Sequence, residues 1–284
     1  NPIAQSMTRV IGLIKLLCTG LVLASQLSQG AVFGDGDQLN GPEDDRTSAP
    51  ESLIGGVGTI FCDGALRGTG TQLHIDATGP DQAHTIIITA AHVLFDAKSG
   101  VPFIDCSYRP QNKRLMAVPF KQISNHSYQP VDADKLRQSE TDIVFVALQH
   151  RLYGTGFKLD WSTEPTDLLL LGYNDNTENI DLSGPCRSYQ SQTFNRAELL
   201  LHDCDSSAGS SGGPVLAIAD NIKTGRAEYR VIAVHGGTLT RIDQAAPGAR
   251  AQAEQWINQA RKIDSIMLDR LMNFLAYLRK DSAN

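Results

Sequence analysis

The sequence lacks most of the marks that cofactor-, metal- and nucleic-acid-binding proteins carry. It contains no C-x-x-C and no H-x-x-x-H pair, so the common spacings of zinc ligands are missing. No cofactor is implied. It has no surplus of basic residues: 25 Lys and Arg stand against 31 Asp and Glu, for a net charge of −6. No basic stripe is present either, which argues against a nucleic-acid partner. Its one markedly apolar stretch near the N-terminus, Leu16 to Ala24, is too short and too interrupted to span a membrane. What remains is an ordinary globular composition, 41% hydrophobic and 20% charged. The 284 residues suffice for one barrel-rich domain or two packed subdomains.

The first 52 residues read as processing and spacer segments. Residues 1–6 precede Met7 and are expected to be upstream reading frame. Arg9 and Lys15 flank the apolar stretch, and the small residues Ser25, Ser28 and Gly30 follow it. That pattern is a secretory signal peptide within residues 1–30, with cleavage expected after Ala24 or after Gly30. Cys18 would leave with it. Residues 31–52, G-D-G-D-Q-L-N-G-P-E-D-D at their heart, bury too little to fold alone and are expected to be an acidic linker or propeptide. They are not a calcium loop, because Leu39 stands at the third ligand position and Gly41 falls one place late.

From residue 53 the chain becomes strand-like. Gly58–Cys62 and Gly68–Leu73 predict two strands around a Cys62-Asp63-Gly64 turn. Further candidates are Thr85–Ala90, Ile143–Leu148, Leu168–Gly172, Ala197–Leu201, Val215–Ala219 and Tyr229–His235. Many short strands with Gly and Pro turns, uninterrupted by a long helical period, predict a sandwich or barrel. After Gln252 the period changes. Ile257, Ala260, Ile263, Met267, Leu271, Phe274, Leu275 and Leu278 recur at helical spacing, so residues 249–284 are expected to form a helix packed on the strands.

Three stretches carry chemistry. Asp205-Ser206-Ser207-Ala208-Gly209-Ser210-Ser211-Gly212-Gly213-Pro214 is a small-residue loop in which backbone N–H groups can approach a reacting atom. A serine hydroxyl needs a base to become a nucleophile. Thr85-Ile86-Ile87-Ile88-Thr89-Ala90-Ala91-His92 ends an apolar run in a histidine, and Thr141-Asp142-Ile143-Val144-Phe145-Val146-Ala147-Leu148 opens one with an aspartate. Taken singly, these would be a strand-end histidine, a turn aspartate and a loop. Together, in the order His, Asp, Ser, they resemble the trypsin/chymotrypsin-like serine proteases over roughly residues 54–240, and most of all the bacterial glutamyl-endopeptidase-like branch.

That resemblance implies an all-β fold of two packed antiparallel six-stranded β-barrels over residues 53–248, with the C-terminal helix on them. It implies Ser211 as nucleophile, His92 as general base and acid, and Asp142 as the group that orients and steadies His92. It places the oxyanion hole at the N–H groups of Gly209 and Ser211. Substrate-binding residues would be Asp205, Ser206 and His235. Asp205 stands where trypsin-like enzymes select Arg or Lys, whereas Val231–Gly237 resembles the segment whose histidine binds a substrate carboxylate in glutamyl endopeptidases. These readings oppose each other in charge, and the residues leave the P1 preference open. Ser210 replaces the Asp that precedes the nucleophile in vertebrate digestive proteases, so Leu53-Ile54-Gly55-Gly56 is not expected to act as their activation site does.

Without Cys18 an even four cysteines remain, which after a signal peptide suggests disulfides and a secreted or periplasmic protein. Three connectivities exist. Cys62–Cys106 would tie the histidine loop and Cys186–Cys204 would brace the nucleophile loop, and these are the pairs expected. His202-Asp203-Cys204 reads as a loop end. The expected activity is a monomeric serine endopeptidase acting on proteins or peptides. The alternative is a catalytically silent binding or regulatory protein of the same fold, which an intact triad speaks against. An esterase reading of G-x-S-x-G would need the histidine last and a helix after the serine.

Overall fold

The computed structural model describes residues 44–75, 84–111, 116–154, 156–161, 167–175, 177–191, 194, 196–221, 226–240 and 256–282. The expected signal peptide, Cys18 and the linker up to residue 43 lie outside them.

The first barrel comprises β2 (Val57–Cys62), β3 (Ala65–Gln72), β4 (Ile86–Thr89), β5 (Cys106–Pro110), β6 (Val118–Ile123) and β7 (Val144–Leu148). It closes in the order β2-β3-β4-β7-β6-β5. The β2–β3 hairpin turns on Asp63 and Gly64, both at positive φ (50° and 76°). This two-residue turn matches the right-handed twist of the strands it joins. β4 is β-branched throughout, which stiffens χ1 and suits extended backbone. β7 is buried at every position. The two pair antiparallel, Ile86 opposite Ala147 and Thr89 opposite Val144. The end of β4 therefore lies beside the start of β7. His92 follows the one and Asp142 precedes the other, so the sheet register brings them to the same rim.

The second barrel comprises β9 (Asp167–Asn174), β10 (Asn179–Tyr189), β11 (Leu199–His202), β12 (Pro214–Asn221), β13 (Arg226–Thr240) and β14 (Trp256–Lys262). Its neighbours run β10-β11-β14-β13-β12-β9, and a β9–β10 pairing closes the ring. Two short strands add to it: β1 (Thr47–Ser48) lies on β10, and β8 (Lys158–Leu159) runs parallel to β13. The fold is the expected pair of six-stranded antiparallel barrels. Short helices α1 (Glu51–Ile54) and α2 (Lys135–Glu140) lie in the connections. Asp134 caps α2 by accepting from the N–H groups of Leu136 and Arg137.

The C-terminal segment corrects the sequence reading. The helix α3 spans only Ser265–Ser282, and Trp256–Lys262, expected to be helical, is strand β14. Asp264 divides them: its carboxylate accepts from the Met267 N–H at 2.8 Å and from Arg261. β14 sits between β11 and β13 and is buried from Ile257 to Arg261, so no alternation of polar and apolar residues marks it as a strand. α3 then crosses to the first barrel. Ile263, Met267, Leu271, Phe274 and Leu278 are buried in one cluster with Ile86, Val144 and Leu148. Each such side chain contributes about 1.5–3 kcal/mol when fully buried. Arg270 and Lys121 add polar links, to the Ile143 carbonyl and to Asp281. No described helix is long and apolar enough to cross a membrane.

Both expected disulfides are formed. Cys62–Cys106 joins the facing positions of β2 and β5, and Cys186–Cys204 joins β10 to the segment after β11. Such bonds persist in oxidising compartments.

Candidate active site

His92 lies in a 3-10 turn, Ala91–Leu94, directly beyond β4. Asp142 holds it at two points. One carboxylate oxygen, Oδ2, lies 2.6 Å from the ring Nδ1, and the other, Oδ1, accepts the His92 backbone N–H at 2.7 Å. The carboxylate thus fixes both the ring and the peptide that carries it. Asp142 is 4% exposed, while the His92 side chain keeps 28% of its surface open. Burial disfavours the imidazolium, but the charge of Asp142 and its hydrogen bond outweigh this, so the His92 pKa is raised above the ordinary histidine value.

The Ser211 loop belongs to the second barrel and is anchored to the first. Thr69 on β3, fully buried, is the anchor. Its N–H donates to the Ser211 carbonyl at 2.7 Å, its hydroxyl donates to the Gly209 carbonyl at 2.7 Å, and the same hydroxyl accepts from the Tyr173 N–H at 2.9 Å. Gly68 permits this approach, since a Cβ there would lie 2.6 Å from the Ser211 carbonyl and 2.7 Å from Val93. A Cβ on Gly212 would lie 3.1 Å from the Ala90 nitrogen. Gly212 therefore lies close to Ala90, two residues before His92, and Gly68 lies between the Ser211 carbonyl and Val93. Gly209 adopts φ +96° and Gly212 φ +87°, the left-handed region that favours glycine.

Within the loop the backbone donors divide into two groups. The N–H groups of Ser210, Gly212 and Gly213 bond to the carbonyls of Ser207, His235 and Ser210. No described residue accepts from the N–H of Gly209 or Ser211. Ser210 is buried, donates its hydroxyl to the Tyr173 carbonyl at 3.1 Å and accepts from the Ser207 N–H. Where digestive proteases place a charged carboxylate, neutral hydrogen bonds brace this loop.

The family model of the trypsin-like peptidase domain matches residues 68–222, more than half of the chain. The protein belongs to the trypsin-like peptidases. No curated protein matches it in sequence. Among solved structures it is similar to a Glu endopeptidase determined in complex with MPD (TM-score 0.58, 14% identity, 83% of this chain and 99% of that one). It is also similar to neuropsin, a serine protease expressed in the limbic system of mouse brain (TM-score 0.53, 12% identity, 80% and 99%). At these identities the likeness is one of fold.

The residues expected to line the specificity pocket of this trypsin-like peptidase are all buried. Asp205 is 2% exposed, and its Oδ2 accepts the Asp45 backbone N–H at 2.9 Å. The Ser206 hydroxyl is buried with no hydrogen-bond partner among the described residues. His235 lies on β13, where its N–H donates to the Gly213 carbonyl and its carbonyl accepts from Gly212, so the strand pins the exit of the nucleophile loop. Its Nδ1 lies 3.2 Å from Nε2 of His202.

His202 corrects the sequence reading a second time. It is not a loop end but the last residue of β11, with no exposed surface. Burial pushes its pKa down to about 3. Burial, then the neighbouring His202 and His92, hold His235 well below its ordinary value. The two rings are therefore neutral, and one donates to the other. The apolar Leu199-Leu200-Leu201 run before His202 was the available signal. Asn258 on β14 was also missed: its side-chain amide donates to the Cys204 carbonyl at 2.7 Å and its oxygen accepts from Thr238. No group of three or more His, Cys, Asp or Glu among the described residues could hold a metal ion.

Proposed function

We propose that this trypsin-like peptidase is a secreted or periplasmic serine endopeptidase that cleaves peptide bonds through an acyl-enzyme. The observation that carries the reading is the two-point grip of Asp142 on His92, set against the serine loop that Thr69 anchors. Asp142 holds the Nδ1–H tautomer, which leaves Nε2 free to take a proton. Ser211 would attack the scissile carbonyl as His92 accepts its proton. His92 would then protonate the leaving amine, and a water activated the same way would release the acyl group. The N–H groups of Gly209 and Ser211, which have no acceptor among the described residues, would stabilise the tetrahedral oxyanion.

For the P1 residue the geometry favours an acidic side chain. Asp205 already accepts a backbone N–H from the chain itself, which weakens its claim on a substrate cation. The unpartnered Ser206 hydroxyl is a ready donor to a carboxylate. If His202 donates to Nδ1 of His235, the single proton of the neutral His235 ring sits on Nε2, where it can be offered to a substrate oxygen. The similarity in fold to a Glu endopeptidase is consistent with this choice.

The test is digestion of a mixed peptide library by the purified protein, with Ser211→Ala as control. Cuts after Glu, absent in the variant, are expected. Cuts after Arg or Lys would return the pocket to Asp205. A folded wild-type protein that cuts nothing would overturn the catalytic reading.

A further inference from the structure

Residues 44–49 run along the outside of the second barrel. Thr47 and Ser48 of β1 face Leu182 and Asp181 of β10, and the Ala49 N–H donates to the Ile180 carbonyl. This pairing carries the preceding residues to Asp205. The Asp45 N–H reaches the Asp205 carboxylate at 2.9 Å. Ser183 ties the two aspartates further, accepting from the Asp205 N–H at 2.7 Å and donating to the Asp45 carboxylate at 3.4 Å.

Arg46 is tucked under the same strap, its side chain only 6% exposed. Its Nε donates to Asp44 at 2.7 Å, and its buried Nη1 has no hydrogen-bond partner among the described residues. Asp44 is itself 44% exposed, so water screens much of its charge. Asp205 and Asp181 are not screened in this way, being 2% and 5% exposed. Asp181 is satisfied by Asn174 and Thr177, which bring no charge. Burial disfavours the Arg46 cation, yet the carboxylates of Asp44, Asp205 and Asp181 more than offset this and raise its pKa. The Arg46 guanidinium pairs directly with Asp44, and the charges of Asp205 and Asp181 act on it through space.

We propose that Asp45 and Arg46 are specificity-determining residues: they satisfy and counterbalance Asp205, and so leave the pocket able to accept an acidic P1 side chain. The inference rests on the acidic-P1 reading above. An uncompensated Asp205 would repel a substrate carboxylate and attract a guanidinium. Discrimination between substrates is a difference of two affinities, and removing a repulsive element changes it as surely as adding a contact.

The test compares kcat/KM on three matched peptides with Glu, Gln or Arg at P1. The proteins are the wild type, Arg46→Met, Arg46→Lys, Asp205→Asn and the Arg46→Met/Asp205→Asn pair. Arg46→Met should lower the Glu-over-Gln ratio at least about tenfold and raise cleavage after Arg. Arg46→Lys keeps the charge and should stay near wild type. Asp205→Asn should hold or raise the ratio, and in the Arg46→Met background it should restore it. Should Arg46→Met not fold, the single Asp205→Asn variant still decides, because a fall in its ratio overturns the proposal. An unchanged ratio in folded Arg46→Met also overturns it. A wild type that prefers Arg, or cuts none of the three, sinks the acidic-P1 reading itself, and the variants are then not needed to see which idea failed.

Discussion

Replacing Thr69 with valine preserves the shape of the side chain and removes one oxygen. That oxygen donates to the Gly209 carbonyl and accepts from the Tyr173 N–H, and the residue has no exposed surface. The Tyr173 N–H would be left buried without a partner, at about 1–3 kcal/mol, and the lost bond to Gly209 adds about 0.5–1.5 kcal/mol. Thr69→Val should therefore destabilise the protein by about 2–4 kcal/mol. The catalytic effect is separable from this. The Thr69 N–H still holds the Ser211 carbonyl, so the serine stays in place while Gly209 is released. Loss of one oxyanion donor typically lowers turnover by about 10²–10³, which sets the ceiling for the fall in kcat. Thr69→Ser, which keeps the hydroxyl, should recover most of the activity. The assays are thermal unfolding and steady-state cleavage of a peptide ester and amide pair. A Thr69→Val protein with wild-type melting and wild-type kcat would refute the anchoring argument. A Thr69→Ser protein as impaired as Thr69→Val would show that the methyl group, not the hydroxyl, matters.

Asp142→Asn should lower turnover by about 10⁴ and shift the acid limb of the pH–rate profile. In the wild type the raised His92 pKa places that limb above the ordinary histidine range, and in the variant it should move to lower pH. By linkage, the His92–Asp142 pairing stabilises the fold fully below the unfolded histidine pKa of about 6.5 and is lost as pH rises through the raised folded value; urea titrations across that window check it. His202 has the opposite sign, because its folded pKa is depressed to about 3. Stability should fall as pH drops below about 6.5, by up to about 1.4 kcal/mol per unit, and His202→Gln should flatten that slope. Reduction of Cys62–Cys106, or Cys62→Ala with Cys106→Ala, should lower stability by about 2–5 kcal/mol; unchanged unfolding would mean that the bond contributes nothing.

The parts of the site that lie next to strands were legible. His92 follows an all-β-branched run and Asp142 precedes an all-apolar one, so their adjacency is a matter of register between β4 and β7. The glycines at 209 and 212 announce backbone geometry as well as flexibility. The illegible parts depend on tertiary burial. Ile257 and Ala260 sit at a helix-like interval, yet they lie in a strand buried on both faces. Its polar members are satisfied by distant groups: Asn258 by Cys204 and Thr238, Arg261 by the carbonyls of Glu140 and Lys262. β10 escapes notice because its register shifts between Ser183 and Cys186, which breaks the two-residue alternation. The partner of Asp205 lies 160 positions away, in a segment whose composition suggested only a solvated linker.

The last helix has a consequence for biosynthesis. α3 follows the strands of both barrels in the chain, yet its apolar stripe completes the core of the first barrel, whose strands precede those of the second. A nascent chain emerges at about 5–20 residues per second and tends to fold from its N-terminus. The His92 half therefore waits through the whole translation of the Ser211 half with one flank uncovered. The two halves of the site reach their finished form together, once α3 has been made and has docked. The architecture delays the finished site until α3 is in place.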